Sequence, residues 1–242
     1  MRCTILQPGY LPWLGFFNQM ALSDCFVFFD DVQFDRRGWR NRNRIKTPNG
    51  PIWLTVPVVQ HGKFDQDLRD TMIDTSQNWA RKHIRSIEFS YRNAPFFNLY
   101  FAQLSTVLNE RFDRLIDLDD RLIALQMDWL NLRNVRTFQS SELAVTETDK
   151  TGRLVEICRV LGATEYISGP LCRNYLDLEQ FARAGIRVFL HNYTHPAYPQ
   201  LYGDFVPYMA AIDLVMNCGP ESAAFLGDSS ALVDFRSMGS AD

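Results

Sequence analysis

No run in the chain reaches the roughly 18 apolar residues that a membrane-crossing helix needs, so no membrane span is expected. The opening residues carry one basic side chain and no long apolar stretch, a pattern without a secretory signal; the expectation is a cytoplasmic protein that does not engage a membrane. Cysteine is sparse. Cys3, Cys25, Cys158, Cys172 and Cys218 stand singly and are odd in number, which suits neither a disulfide framework nor a paired zinc motif. Reduced thiols and no metal are therefore expected. Internal repeats and low-complexity segments are also missing, and neither sign of charge is in excess: 25 Lys and Arg against 28 Asp and Glu, net −3. A general nucleic-acid binder needs a basic surface, and this balance argues against one.

What remains is a chain of 242 residues, 46% hydrophobic, enough to bury one full core. The reading is a single α/β domain over residues 1–226, with a polar tail at 227–242. The apolar run at 4–6 is followed by a loop, a helical pattern carrying Trp13, Phe16, Phe17 and Met20, and a buried strand pattern at 25–29. Strand, loop, helix, strand is how a Rossmann-like, mainly parallel sheet begins. Residues 39–58 read as an inserted β-hairpin around Asn49-Gly50, and residues 75–134 as a helical insertion whose last helix is capped by Asp117. After Thr137 the α/β rhythm returns: a helix at 152–161, a strand at 165–167, a helix at 176–184 and a strand at 186–190. Two helices follow at 206–217 and 221–226, broken by Gly219-Pro220.

Charge is concentrated at residues 36–46, where six of eleven residues are basic. In an extended chain Arg40, Arg42 and Arg44 project from one face and Asn41 and Asn43 from the other. Such a row, with Lys46 beyond it and Trp39 beside it, suits a phosphate-bearing ligand with a ring to stack; the competing reading is a solvated edge strand paired with Asp30, Asp31 and Asp35. A second candidate is the loop at 7–15, where Gln7, Tyr10 and Trp13 supply polar and stacking groups between two prolines and two glycines. A third is the segment 191–200, which holds two of the four histidines, His191 and His195, and ends in Gln200. Either histidine suits a general base, and the prolyl loop between them lacks metal-ligand spacing. Asp30 and Asp31 at a strand end are candidates to orient a base; Ser168, Asp213 and Asn217 are further candidates for substrate contact.

Several of these segments together resemble the WbqC-like family: Gln7-Pro8-Gly9-Tyr10-Leu11-Pro12-Trp13-Leu14-Gly15, Asp30-Asp31-Val32-Gln33-Phe34, Trp39-Arg40-Asn41-Arg42-Asn43-Arg44-Ile45-Lys46 and Trp53-Leu54-Thr55-Val56-Pro57. Later blocks extend the resemblance: Tyr166-Ile167-Ser168-Gly169-Pro170 with Tyr175-Leu176, Tyr198-Pro199-Gln200, Ile212-Asp213-Leu214 and Asn217-Cys218-Gly219. The resemblance implies a role in bacterial O-antigen or related sugar and natural-product pathways. The opening strand, loop and helix also resemble, more weakly, the nucleotidylyltransferase and pantoate ligase group, with Trp13-Leu14-Gly15-Phe16 standing where that group has H-x-G-H.

These readings lead to an expected group-transfer enzyme that moves an acyl or aminoacyl group onto an amine, such as that of a nucleotide-linked amino sugar. Arg40, Arg42, Arg44 and Lys46 would hold phosphates, Trp13 and Trp39 would stack on a ring, Gln7, Tyr10, Asn41, Asn43, Ser168, Tyr175, Gln200, Asp213 and Asn217 would line the site, and His195 or His191 would take the amine proton. No resident cofactor is expected; the donor could be an aminoacyl-tRNA. ATP-dependent activation of a carboxylate and non-catalytic nucleotide binding are the alternatives, and the oligomeric state is left open.

Overall fold

The computed structural model describes residues 1–36, 38–62, 65–170, 172 and 176–238. Its centre is a six-stranded sheet of strands β1 (Arg2–Leu6), β2 (Cys25–Phe28), β5 (Arg136–Gln139), β6 (Glu165–Ser168), β7 (Arg187–His191) and β8 (Leu232–Asp234), in the order β5-β2-β1-β6-β7-β8. All neighbours pair in parallel except β7 with β8. A separate antiparallel hairpin is made by β3 (Arg42–Thr47) and β4 (Gly50–Thr55). The α/β architecture with an inserted hairpin and a helical segment is thus the one the sequence pattern predicts. Two elements had no sequence signal. The edge strand β5 carries Arg136 and Thr137 exposed, without apolar alternation, and the three-residue β8 pairs with β7 inside the segment expected to be a loose tail.

Alternation along the strands divides the core. Phe26 and Phe28 of β2 face one side; Cys25 and Val27 face the other with Cys3 and Ile5 of β1. The first side is covered by α1 (Leu14–Ala21), the three helices α2 (Trp79–Tyr91), α3 (Phe97–Asn109) and α4 (Leu115–Trp129), and α7 (Ala211–Cys218). The second is covered by α5 (Lys150–Val160) and α6 (Leu178–Arg183). Asp117 is not the cap of α4: Arg114 holds that position, and Asp117 sits in the first turn, where it accepts the Arg114 guanidinium at 2.9 and 2.6 Å. The second of the two C-terminal helices is a 3₁₀ segment, Gly219–Phe225. All five cysteines are free and buried.

Chain order reverses at β1, since β2 lies on one side of it and β6 on the other. In open α/β sheets the crevice outside the carboxyl ends at such a reversal is where ligands bind. The loop leaving β1 enters that crevice and is clamped there by the hairpin. Tyr10 donates its backbone N–H to the Arg40 carbonyl at 2.9 Å, and the Asn43 amide donates to the Leu11 carbonyl at 2.6 Å. On its far side Ala211 donates to the Pro12 carbonyl at 2.9 Å, and Ala210 to the Arg44 carbonyl at 2.8 Å. Loop, hairpin and the start of α7 thereby share one backbone seam.

The seam is tight at Gly9, where a Cβ would lie 2.7 Å from the Trp39 carbonyl oxygen. Gly9→Ala should therefore lose about 1–3 kcal/mol of stability, the usual cost of overpacking, measured as a shift in the urea midpoint. An unchanged midpoint would mean that loop and hairpin are not pressed together.

Candidate functional site

Between loop and hairpin lies a cavity of about 410 Å³, lined by Gln7, Trp13, Trp39, Arg40, Arg44 and Tyr208, among others. Among the described residues none that lines it is acidic. The alternation expected of the Arg-Asn strand holds at its centre: Asn41, Asn43 and Ile45 are buried while Arg42 and Arg44 reach the outer face. There the guanidinium of Arg42 lies 4.6 Å from the centre of the Trp53 ring, and that of Arg44 lies 5.6 and 5.7 Å from Trp39 and Trp53. The two indoles meet edge-on at 4.9 Å. This ladder of rings and cations orients Arg44 without neutralising it. Among the described residues no carboxylate lies within ion-pair distance of Arg44 or Arg40.

Arg40 departs from the outward row. Its guanidinium turns inward and donates to the carbonyls of Gln7 and Pro8 at 2.7 and 3.2 Å, leaving its buried Nε without a partner. Burial lowers its pKa, and the charges of Asp119 and Asp35 oppose that shift. Asp119 is a residue that sequence reasoning missed. It is fully buried on the core face of α4, and neither carboxylate oxygen has a hydrogen-bond partner. Desolvation, reinforced by Asp120, pushes its pKa well above the ordinary carboxylate range, while Arg40 pulls it down. Nothing in the local pattern of α4 distinguishes this acid from a surface one; its role arises only once Arg40 points at the core.

The two histidines are placed differently. His191 ends β7, buried, and donates Nε2–H to the Asn18 amide oxygen at 2.8 Å; burial lowers its pKa to about 4. It serves the packing of α1 on the sheet. His195 stands in a box of rings formed by Trp13, Tyr193, Tyr198, Phe205 and Tyr208. Its Nδ1–H donates to the Pro196 carbonyl at 3.0 Å, so the lone pair is on Nε2, which is buried and unpartnered. Burial holds the imidazole below its ordinary pKa, against the effect of the Pro196 bond. A neutral imidazole with an uncommitted lone pair is the form a general base needs. Two of the rings that enclose it, Trp13 and Tyr208, also line the cavity. Tyr208 had no sequence signal. Its φ of 62° is rare for a bulky residue, and strain of this kind collects at functional sites.

Several other sequence candidates are built into the scaffold instead. Tyr10 is buried and bonded to His83 Nδ1 at 2.9 Å. Asn41 donates to the Val56 carbonyl at 2.7 Å, closing the hairpin. Asn43 borders the cavity, but its amide is spent on Leu11. Lys46, expected beside the arginines, is buried and donates to the Asp204 carbonyl at 2.6 Å. Asp213 accepts from Tyr91 at 2.8 Å, Tyr198 at 2.9 Å and Gln200 at 2.8 Å, and Asn217 donates to its carbonyl; this buried knot joins α2, α7 and the 198–206 loop. Asp30 and Asp31 do not pair with the Arg-Asn strand. Asp30 accepts from Ser140 and Ser141, and Asp31 pairs with Arg153 of α5 at 2.6 Å. Ser168 is buried at the end of β6, away from the cavity lining, and Tyr175 lies outside the described residues.

His83 shares the low value of His191, about 4, because burial outweighs its bond to the Thr55 backbone. An unfolded histidine titrates near 6.5, so below that pH the unfolded chain takes up protons that the folded chain refuses. Each ring thus contributes on the order of 3 kcal/mol that is present above pH 6.5 and lost as pH falls toward 4. Raised carboxyls such as Asp119 and Asp213 work in the opposite sense, so the histidines are best read individually. Imidazole ¹⁵N shifts at pH 5.5 should show both rings neutral; a protonated His191 would contradict its burial against Asn18.

No solved structure matches this chain. A Mycobacterium tuberculosis (strain ATCC 25618 / H37Rv) protein named "Uncharacterized protein Rv1507c" is 38% identical over 227 residues, covering 93% of this chain and 97% of the relative. The model of the WbqC-like protein family matches residues 7–225, a span that takes in the cavity, the Arg-Asn strand and the ring box of His195. The chain therefore belongs to the WbqC-like protein family.

Proposed function

We propose that this protein is a group-transfer enzyme of bacterial glycan or natural-product biosynthesis, which moves an acyl or aminoacyl group onto the amine of a nucleotide-linked amino sugar. The observation that carries the reading is the cavity itself: among the described residues it is lined by two arginines unpaired by acids, four aromatic side chains (Trp13, Phe16, Trp39 and Tyr208) and no carboxylate, at the carboxyl edge of a parallel sheet where its order reverses. Guanidinium groups bind phosphate oxygens as a fork, and indole faces accept a base or sugar ring. In the step proposed, the substrate amine attacks the acyl carbonyl. The new N–C bond forms, the bond to the leaving group breaks, and His195 Nε2 takes the amine proton.

Adenylyl transfer is less well supported. Trp13 and Phe16 stand where the related loop of nucleotidylyltransferases has histidines, and both line the cavity. Rings stack there in place of phosphate-contacting imidazoles.

Calorimetric titration with nucleoside diphosphate amino sugars tests the binding, and amide formation from a supplied acyl donor tests the chemistry. Arg44→Ala should weaken binding by about 1.5–3 kcal/mol, the range for a hydrogen bond to a charged group. His195→Asn should leave affinity within a few fold and cut turnover by about 10²–10⁴, the contribution of a general base. Equal affinity in wild type and Arg44→Ala would remove the phosphate assignment; unchanged turnover in His195→Asn would remove the base.

A further inference from the structure

A second cavity, of about 540 Å³, lies on the other side of Gln7 and Arg40, which line both. It sits at the carboxyl ends of β1 and β2, against the first turn of α5. Its walls divide by chemistry. Phe29, Val32 and Leu154 form an apolar side, while Arg40, Lys150 and Arg153 bring three cationic groups. Among the described residues no acidic one lines it.

The cations are placed against local preference. Lys150 is the first residue of α5 and Arg153 lies in the same turn, where the helix dipole disfavours positive charge. Asp149 caps the helix by accepting from the Gly152 N–H at 2.8 Å, so the turn itself is satisfied without them. Arg153 is held by Asp31 and by the Phe29 ring, 4.9 Å from its guanidinium. Lys150 is exposed, and among the described residues no acid lies within ion-pair distance of it. A cation kept at a helix start, unpaired among the described residues, beside a cavity that Arg40 and Arg153 also line, is a local rule broken where a ligand would compensate.

We propose that this second cavity is a separate subsite for a compound with an anionic head, phosphate or carboxylate, and an apolar body of acyl size. The head lies among Lys150, Arg153 and Arg40, and the body against Phe29, Val32 and Leu154. Arg40 lines both cavities, so an anion in either would share that one guanidinium. The assignment of a ligand class stands on the second cavity alone. Its role, as the site of the acyl donor whose group reaches the amine held in the first cavity, rests on the group-transfer reading.

The test is calorimetric titration of the full chain with butyryl phosphate and, in a second arm, butyrate, which separates a phosphate head from a carboxylate head. Three proteins are compared: wild type, Lys150→Glu and Arg44→Ala. Lys150→Glu replaces an exposed cation by the charge that a helix start prefers, so the variant is expected to fold, checked by an unaltered melting transition. Wild type should bind at least one probe, Lys150→Glu should weaken it by about tenfold or more, and Arg44→Ala should leave it within about twofold. Titrating the same proteins with a nucleoside diphosphate amino sugar should give the reverse pattern. Absence of binding by both probes at millimolar concentration, or an equal loss in the two variants, would overturn the second subsite. Failure of the nucleotide sugar alone would instead remove the reading of the first cavity and leave the subsite standing.

Discussion

The hydrogen bond from the Asn43 amide to the Leu11 carbonyl, 2.6 Å long and shut away from water, is the contact on which the rest of the site depends. Leu11 has a positive φ of 46°, a conformation that costs energy for a branched residue and persists only when its surroundings enforce it. Asn43 supplies that enforcement, since an unpaired carbonyl in this interior would be costly. With Leu11 pinned, the loop turns at Pro12 and presents Trp13 to the cavity. The same strand presents Arg44 from its opposite face. One alternating stretch of backbone thus does two jobs, anchoring the loop through Asn43 and presenting Arg44 on its other face.

Electrostatics in this region is a matter of which charges are left unpaired. Acidic residues outnumber basic ones in the chain, yet the acids near the sheet edge are engaged elsewhere: Asp30 with the Ser140 and Ser141 pair, Asp31 with Arg153, Asp213 with two tyrosines and a glutamine. The one acid that faces Arg40 from the core, Asp119, is itself starved of hydrogen bonds, and burial favours its neutral form. With neither oxygen partnered, it closes no ion pair on Arg40. Arg40 and Arg44 therefore stand at the cavity wall with no acid in ion-pair distance among the described residues.

The division between what was legible in the sequence and what was not follows from interaction range. The strand-loop-helix opening, the hairpin at Asn49-Gly50 and the two faces of residues 41–45 are local patterns, and all are present. Lys46 obeys the same alternation on paper but is drawn inward by the Asp204 carbonyl, a partner far along the chain that no local pattern reveals. Arg40 turns from the outward row for the same kind of reason, because the carbonyls of Gln7 and Pro8 lie within its reach once the loop is clamped. Histidine pairing in sequence also misled. His191 and His195 are four residues apart, but one ends a strand and packs on Asn18, while the other lies in the following loop among rings. The second cavity was missed because two of its three cations, Lys150 and Arg153, come from α5, whose first turn reads in isolation as an ordinary solvated helix start.

The central question is whether the seam between loop and Arg-Asn strand holds a ring and its phosphates. The most direct measurement is a crystal structure of the protein soaked with a nucleoside diphosphate amino sugar. Density is expected in the first cavity, with the diphosphate within hydrogen-bond reach of Arg40 and Arg44 and a ring against Trp13 or Trp39. Density for the ligand elsewhere on the molecule, with that cavity empty and Arg44 still stacked on its indoles, would contradict it.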